Sequence, residues 1–397
     1  MVAGGPMSLR SETEHLAFID ALRGWAFLSV LLVHVQTIVV LPRRLAQLAG
    51  PANYGVQFFF VISALTLFMS YESRRSRDSR PMAAFFVRRL CRIAPLFWLA
   101  VPTYLGFLGT GPRESAPDGI HAGQILSTLL FVHGWYPTAI NSVVPGGWSI
   151  AVEMTFYLIL PFCFSAIRTL GRSVAACLVV FGVSIVISVS AKHLLAGLFP
   201  ENLLGRFTYY WFPRQVAVFF LGFLLFFLIK RFRGADDAGS LSHERLIRHL
   251  PEISVLLLFA MSLVSERLPL AYFWFSAVFV LLALGLSFRP VWWLVNPVTR
   301  YIGKVSFSAY ITHFMVIESV GRRVVNAFGN TEGGGKHPVV TFAITYVVCC
   351  IATVLASSVT YFMIEVPGQN VGRSVIRLLG YGSAPPLVPS GSPSVEL

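Results

Sequence analysis

Charged residues are scarce in this sequence: Asp, Glu, Lys and Arg together make up 12% of its 397 residues, about half the fraction in a soluble globular domain. So few charges cannot cover the surface of a water-soluble protein of this size. Hydrophobic residues make up 55% of the chain, and many apolar runs reach the ~18 residues that cross a bilayer core of roughly 30 Å. We therefore exclude a soluble, disordered or collagen-like protein and predict an all-α, polytopic transmembrane helical bundle.

Cysteine is also rare. The five cysteines form no Cys-x-x-Cys pair and lie in or beside apolar runs, where cysteine usually packs as a small apolar residue; they are Cys91, Cys163, Cys177, Cys349 and Cys350. We therefore predict neither a disulfide nor a metal site. The polar first twenty residues lack the basic segment of a cleaved signal peptide, so the first apolar run is expected to remain as a helix.

About ten membrane spans are expected, with an eleventh if the shorter apolar stretch 122–136 crosses the membrane instead of lying at the interface or re-entering. The ten predicted spans cover residues 23–41, 54–71, 92–109, 148–166, 173–190, 210–229, 250–265, 270–288, 305–320 and 338–363. The chain then divides into a cytoplasmic N-terminal segment (1–17), a transmembrane domain (18–373) and a disordered cytoplasmic tail (374–397). We expect no appended soluble domain, and small residues in many helices would allow a homodimer.

The formal net charge is +13, from 31 Lys and Arg residues against 18 Asp and Glu residues. A basic protein can bind nucleic acid, but polytopic membrane proteins collect Lys and Arg in their cytoplasmic loops, which explains the excess without nucleic acid. If the N-terminus is cytoplasmic, most of these residues fall on the inner side. We therefore predict that both termini are cytoplasmic and that nucleic acid is not a partner.

Three ionisable residues in the first span form the most informative pattern, because charges within a span are costly and usually functional. Arg23 and His34 are eleven residues apart, which is three turns plus about 20° and about 16.5 Å along the axis, so they share one helical face. Asp20 lies about 60° from Arg23, close enough to pair with it. A guanidinium at the cytoplasmic mouth suits a phosphate, and a deep imidazole suits a general base. The alternative is a snorkelling arginine and a structural histidine.

A block of arginines precedes the third span. Arg88 and Arg92 are four residues apart and share a helical face. Together with Arg89 they could grip a polyphosphate from the cytoplasmic side. The alternative explanation is that they only set the topology of the chain in the membrane.

Two later segments place further polar residues inside predicted spans. In the fourth span Ser149 could cap the helix, and Glu153 lies about one turn into the outer half, at a depth comparable with His34. A buried carboxylate there could orient an imidazole, bind a hydroxyl group or only hold two helices together. In the ninth span His313 either lines the same cavity or bridges helices, and Glu365 marks the inner end of the tenth.

Taken together and in this order, these segments resemble the membrane-bound acyltransferase 3 family over about residues 18–373. Six motifs carry the resemblance: Asp20-Ala21-Leu22-Arg23 followed by His34; Phe59-Phe60-Val61-Ile62-Ser63-Ala64; the run from Arg88 to Pro95; Trp148-Ser149 with Glu153, Phe156-Tyr157 and Pro161; Ser306 to Tyr310 with His313; and Ile364 to Pro367. Each motif is weak alone, but six in order are specific. The sequence departs from the family at Ala21 and Ala64, where glycine is usual, so a less tight backbone approach is expected there. It also departs at Gln57, where an acidic residue is common.

The resemblance implies an enzyme that transfers an acyl group, commonly acetyl, from acyl-CoA to a hydroxyl group. Acceptors in the family are usually sugars of envelope glycans such as lipopolysaccharide, peptidoglycan or exopolysaccharide, and sometimes an antibiotic or another small molecule. Acyl-CoA is then a co-substrate, no cofactor is permanently bound, and the location is the bacterial inner membrane. A transporter or flippase, which would use the same charges for a substrate pathway, is the alternative from another class.

At the matching positions, the resemblance implies three groups of site residues. The catalytic group is His34, as base or acyl carrier, with Glu153 and Asp20; the acyl-CoA group is Arg23, Arg88, Arg89 and Arg92; the acceptor group is Trp148, Ser149, Tyr157, His313 and Ser63. Asp20 is expected to orient Arg23. An apolar lining would exclude water and so limit hydrolysis of the thioester.

Overall fold

The computed structural model of the chain describes residues 9–233, 240–328 and 337–382. Within these ranges the chain forms α-helices joined by short turns, without β-strands. The helices are α1 (Leu9–Val35), α2 (Arg43–Leu48), α3 (Gly55–Arg74), α4 (Pro81–Leu108), α5 (Ala122–Leu129), α6 (Trp148–Ala166), α7 (Leu170–Leu194), α8 (Glu201–Tyr210), α9 (Phe212–Arg233), α10 (Ser240–Val264), α11 (Ala271–Phe288), α12 (Pro297–Lys304), α13 (Ser306–Val316), α14 (Arg322–Ala327), α15 (Pro338–Thr360) and α16 (Val366–Leu378). Two π-helical turns, Ile317–Gly321 and Tyr361–Glu365, follow α13 and α15 directly. The predicted all-α class is confirmed.

Eight helical segments in the described residues are long and apolar enough to cross a membrane, which confirms a polytopic helical bundle. Two of the ten predicted spans, 92–109 and 305–320, are not among them, although both are helical. The first is part of α4, which carries three arginines and two internal prolines. The second begins with α13, which has only 11 residues before the π-helical turn.

An eleventh span over residues 122–136 is wrong for a physical reason. The segment contains the eight-residue helix α5 and a three-residue 3-10 turn, His133–Trp135, and eight helical residues extend only about 12 Å. Phe131 between them has a positive φ of 62°, which breaks the helix. The segment folds back instead, and the Nε2 of His133 donates to the carbonyl oxygen of Gly147 at the start of α6.

The described ends of the chain differ in detail from the predicted boundaries. Helix α1 begins at Leu9, inside the predicted N-terminal segment, and α16 continues through Leu378, past the boundary predicted at 374. Residues 1–8 and 383–397 lie outside the described residues. The second range contains most of the predicted disordered tail.

The crossing of α1 and α12 is the closest approach that shapes the site, and it requires glycine on both helices. A Cβ atom on Gly303 would overlap the backbone carbonyl of Asp20, and one on Gly24 would overlap the carbonyl oxygen of Thr299. Small residues allow membrane helices to approach this closely because backbone meets backbone. The start of α12 is fixed by Asn296, whose side chain accepts hydrogen bonds from the backbone N–H groups of Val298 and Thr299.

A layer of aromatic rings joins α3, α6 and α9. The ring of Phe219 stacks on Phe60 at 4.5 Å and on Phe156 at 4.0 Å between centroids. A less tight backbone approach was expected at Ala64. The facing helix α9 nevertheless approaches closely there because it has a glycine: a Cβ on Gly222 would lie 2.6 Å from the Cβ of Ala64. The expectation of a looser contact is therefore wrong, because the glycine is on the facing helix.

We predict that Gly303→Ala lowers the stability of the protein, because overpacking against a backbone cannot be relieved by a rotamer change and costs about 1–3 kcal/mol or more. Gly106→Ala is the matched control, since a Cβ there meets no atom within 4 Å. Thermal unfolding in detergent checks both variants. Equal melting temperatures for the two would contradict the close crossing.

Candidate active site

A cavity opens between α1, α3, α4, α6 and α13, with an empty volume of about 690 Å³ that includes its open mouth. Its wall combines a cationic part with hydroxyl groups and one carboxylate. The polar lining residues are Arg23, Ser63, Arg89, Arg92, Ser149, Glu153, Tyr157, Ser306 and Tyr310. The apolar lining residues are Val56, Phe59, Phe60, Ile93, Ile150 and Phe307. A lining of this kind suits a ligand with both an anionic and an apolar part.

The cationic wall is held by contacts to several helices. Arg23 lies 3.7 Å from the carboxylate of Asp20 and donates to Thr66 Oγ1 at 3.2 Å, so the predicted pairing with Asp20 is confirmed. Arg92 Nε lies 3.6 Å from Glu365 Oε1. Arg89 has no ion-pair partner among the described residues. Three guanidinium groups therefore face one cavity together with the carboxylate of Glu153, and Arg89 is held by no direct ion pair among the described residues.

Glu365 is placed by the π-helical turn that ends at this residue. Its side chain is 1% exposed and accepts hydrogen bonds from Ser308 Oγ at 3.1 Å and from Gln369 Nε2 at 3.3 Å. A carboxylate removed from water needs such partners. The pair with Arg92 thereby joins α4 to the end of α15.

The carboxylate of Glu153 is fixed on the opposite wall. Ser63 Oγ donates to Glu153 Oε1 at 2.5 Å and the hydroxyl of Tyr157 donates to the same oxygen at 2.7 Å. Both bonds end on Oε1, so Oε2 remains for a ligand as far as the described residues are concerned. Nearby, the Tyr310 hydroxyl accepts from Ser149 Oγ at 2.9 Å and donates to the carbonyl oxygen of Gly146 at 2.9 Å.

A pair of histidines lies beside this cavity. His34 is in the last turn of α1, and its Nδ1 lies 2.8 Å from the carbonyl oxygen of Val30. His313 is buried, and its Nδ1 lies 2.7 Å from the carbonyl oxygen of Tyr310. Carbonyl oxygens only accept hydrogen bonds, so both Nδ1 atoms must carry protons.

The tautomer of each neutral ring follows from these bonds. The lone pair of His313 is on Nε2, which lies 3.3 Å from His34 Nδ1 and shares, as the longer contact, the proton that Nδ1 donates to Val30. The lone pair of His34 is then on Nε2, for which the described part of the chain offers no hydrogen-bond partner. His34 therefore presents an unprotonated nitrogen, which is what a general base or nucleophile requires.

His34 is next to the cavity and is not part of its lining. The ring of Phe314 packs on His34 with 4.3 Å between centroids, and His313 lies 5.6 Å from the ring of Tyr310, which does line the cavity. Of the two residues that share a face of α1, Arg23 thus lines the cavity, and His34 lies behind one layer of side chains at the end of the cavity.

Besides His34, four of the predicted site residues lie outside the lining. Arg88 shares a helical face with Arg92, but its guanidinium lies 2.7 Å from Asp78 Oδ2, which draws it away from the cavity. Trp148 stacks on Tyr210 with 4.5 Å between centroids and so supports α6. His313 contacts His34 instead, and Asp20 contacts Arg23 from behind. The remaining predicted residues apart from His34 all face the cavity.

Several site residues were not singled out from the sequence. Tyr310 and Ser306 belong to a motif already noticed, and Tyr310 is three residues from His313, which places them on neighbouring positions of one helix face. Thr66 follows Ser63 by three residues, so this spacing also places two polar side chains on one helix face. No sequence spacing could have paired Glu365 with Arg92, because the contact joins distant helices. Within the described ranges no three His, Cys, Asp or Glu side chains come together as a metal site would require.

An apolar bundle with a charged internal cavity defines a multi-pass membrane protein. The profile of the acyltransferase domain family known as acyltransferase 3 matches residues 16–362. The chain belongs to this family.

Two relatives from Staphylococcus aureus illustrate the similarity. "Putative O-acetyltransferase SACOL0978" of strain COL is 24% identical over 388 residues, covering 92% of this chain and 59% of that protein. "O-acetyltransferase OatA" of strain NCTC 8325 / PS 47 is 21% identical over 389 residues with the same coverage. The chain thus spans about three fifths of the length of these curated relatives. No solved structure matches the chain significantly.

We predict that Arg92→Gln lowers the free energy of unfolding by about 3 kcal/mol, because it leaves the buried Glu365 without its cation. Arg89→Gln removes a neighbouring charge that has no such partner and serves as the control. The double variant Arg92→Gln/Glu365→Gln should recover most of the loss. Thermal unfolding in detergent measures all three, and equal losses for Arg92→Gln and Arg89→Gln would contradict the pairing.

Proposed function

We propose that this protein is an O-acyltransferase that moves an acyl group, most simply acetyl, from acyl-CoA to a hydroxyl group of a sugar in an envelope glycan or exopolysaccharide. The observation that carries the proposal is the joint arrangement of a cavity with three arginines and a histidine with an unprotonated nitrogen at its end. The family and the printed names of the two relatives support the acyl-transfer chemistry.

The donor is held, in this proposal, by the cationic wall. Arg23, Arg89 and Arg92 face one cavity, and planar guanidinium groups bind phosphate oxygens in pairs of hydrogen bonds. Arg23 and His34 are eleven residues apart on the continuous helix α1, about 16.5 Å along its axis. The extended pantetheine arm of acyl-CoA is of this length, so with its phosphates on the arginines the thioester would lie at the depth of His34, which is one layer of side chains beyond the cavity lining.

His34 then acts through its Nε2. In direct transfer, Nε2 takes the proton of the acceptor hydroxyl while that oxygen attacks the thioester carbonyl, the C–S bond breaks, and the departing CoA thiolate receives the proton. In the two-step alternative, Nε2 attacks the thioester carbonyl, the C–S bond breaks and CoA leaves as the thiolate. The acceptor oxygen then attacks the acyl-imidazole carbonyl, the N–C bond breaks, and the hydroxyl proton passes through the freed Nε2 to the thiolate. The carbonyl oxygen of Val30 fixes the tautomer of His34 in both routes, and the neighbouring ring of His313 helps to hold its position.

The acceptor is proposed to bind near Glu153 and the hydroxyl groups of Ser149 and Tyr310. A carboxylate already fixed by Ser63 and Tyr157 can accept a hydrogen bond from a sugar hydroxyl without reorganising. Phe59, Phe307 and Phe314 around the path would keep water from the thioester. The distribution of Lys and Arg supports an inner-membrane protein with the cationic mouth on the cytoplasmic side, where acyl-CoA is found.

The activity test uses purified protein in lipid nanodiscs with acetyl-CoA. We expect free CoA thiol to form several times faster when an acceptor glycan is present, and an ester to be detected on that glycan by mass spectrometry. Acceptors are compared by class, with oligosaccharides of the envelope against small hydroxylated molecules. Transport of a solute without any release of CoA would contradict the proposal and favour a transporter.

We predict that His34→Ala lowers the turnover number by roughly 10²–10⁴-fold, the usual contribution of a general base. Because His34 lies outside the cavity lining, the affinity for acetyl-CoA should change little. His193→Ala is the control, since His193 is exposed at the end of α7. Near-normal turnover of His34→Ala, with expression confirmed, would remove this residue from the mechanism.

A further inference from the structure

Two basic residues at the rim of the cavity take no part in the site described so far. Arg300 and Lys304 are both exposed and lie four residues apart on α12, so they share one face of that helix about 6 Å apart along its axis. Lys304 precedes the lining residue Ser306 by two positions. Both cations interact electrostatically with Asp20, which contacts Arg23, so the pair lies beside the cationic wall.

The position of this pair is fixed. Helix α12 crosses α1 where Gly303 meets the backbone of Asp20, so α12 cannot shift without disturbing the helix that carries Arg23. The Lys304 ammonium lies 5.6 Å from the ring centroid of Tyr361 and 5.8 Å from that of Phe362. Contacts between a cation and aromatic faces hold the side chain without neutralising its charge.

The charge of the pair is not compensated by the protein. The carboxylate of Asp20 interacts electrostatically with four cations, which are Arg23, Arg300, Arg92 and Lys304. Neither Arg300 nor Lys304 reaches ion-pair distance of a carboxylate in the described part of the chain. Asp20 contacts Arg23 and Glu365 pairs with Arg92, so neither carboxylate compensates Arg300 and Lys304, and the rim attracts anions beyond those that the inner arginines bind.

We propose that Arg300 and Lys304 bind the 3′-phosphate on the ribose of coenzyme A, outside the site where Arg23, Arg89 and Arg92 bind its diphosphate. This inference rests on the proposed function. In acyl-CoA the order of groups is thioester, pantetheine arm, diphosphate and phosphorylated ribose. With the thioester innermost, the ribose phosphate lies outermost and meets the rim. A phosphate monoester carries close to two negative charges at neutral pH, which matches two adjacent cations.

The experiment compares acetyl-CoA with 3′-dephospho-acetyl-CoA as donors for the wild type and for the double variant Arg300→Gln/Lys304→Gln. We expect the double variant to raise the KM for acetyl-CoA roughly tenfold, with little change in kcat. The KM for the dephospho donor should not change, since it lacks the group that the pair binds. High salt should reduce the difference between the donors in the wild type, because the rim is exposed.

The matched control is Arg373→Gln/Arg377→Gln, which removes two exposed arginines with the same spacing from α16. This variant should leave both KM values unchanged. An equal rise for both donors in the Arg300→Gln/Lys304→Gln protein would overturn the inference, and so would equal KM values for the two donors in the wild type. If the wild type used neither donor, the proposed function would be wrong as well, so the two failures are distinguishable.

Discussion

A charge placed inside an apolar bundle must be held by other polar groups, and this requirement organises the interior of the protein. Glu365 reaches Arg92 from another helix, Ser63 on α3 reaches Glu153 on α6, and Thr66 on α3 reaches Arg23 on α1. Each of these contacts joins two helices, so the same bonds that satisfy the charges also set the width of the cavity. The binding surface is thus formed before any ligand arrives, which lowers the ordering cost of binding.

The two halves of the site separate two chemical demands. Arginines are suited to anions, but a positive charge close to an imidazole lowers its basicity. His34 instead lies near Val30, His313 and Phe314, away from the guanidinium groups. Helices α1 and α13 both connect the halves in the described structure, and the length of α1 fixes the distance between Arg23 and His34. Under the proposed function, the donor is measured along α1, since its phosphates and its reactive carbonyl must fit the two ends together.

Patterns within one helix could be read from the sequence, and contacts between helices could not. The pair of Asp20 and Arg23 follows from their spacing on α1. Arg88 has the same helical face as Arg92, yet Asp78 from the preceding turn binds it, and no periodicity reports such a competitor. The contact of His34 with His313, and the packing of Gly222 against Ala64, depend on how distant segments meet. The overall class was predictable because apolar length and scarce charge are properties of composition.

The π-helical turn at Tyr361–Glu365 sets the direction of the Glu365 carboxylate. A π turn holds about one residue more than an α turn, and each residue of a regular helix rotates its successors by about 100°. A regular helix over the same residues would therefore turn Glu365 away from α4. A chain with one residue fewer would keep the direction of this carboxylate without the π turn, so the arginine anchor tolerates the insertion or deletion of one codon at this place.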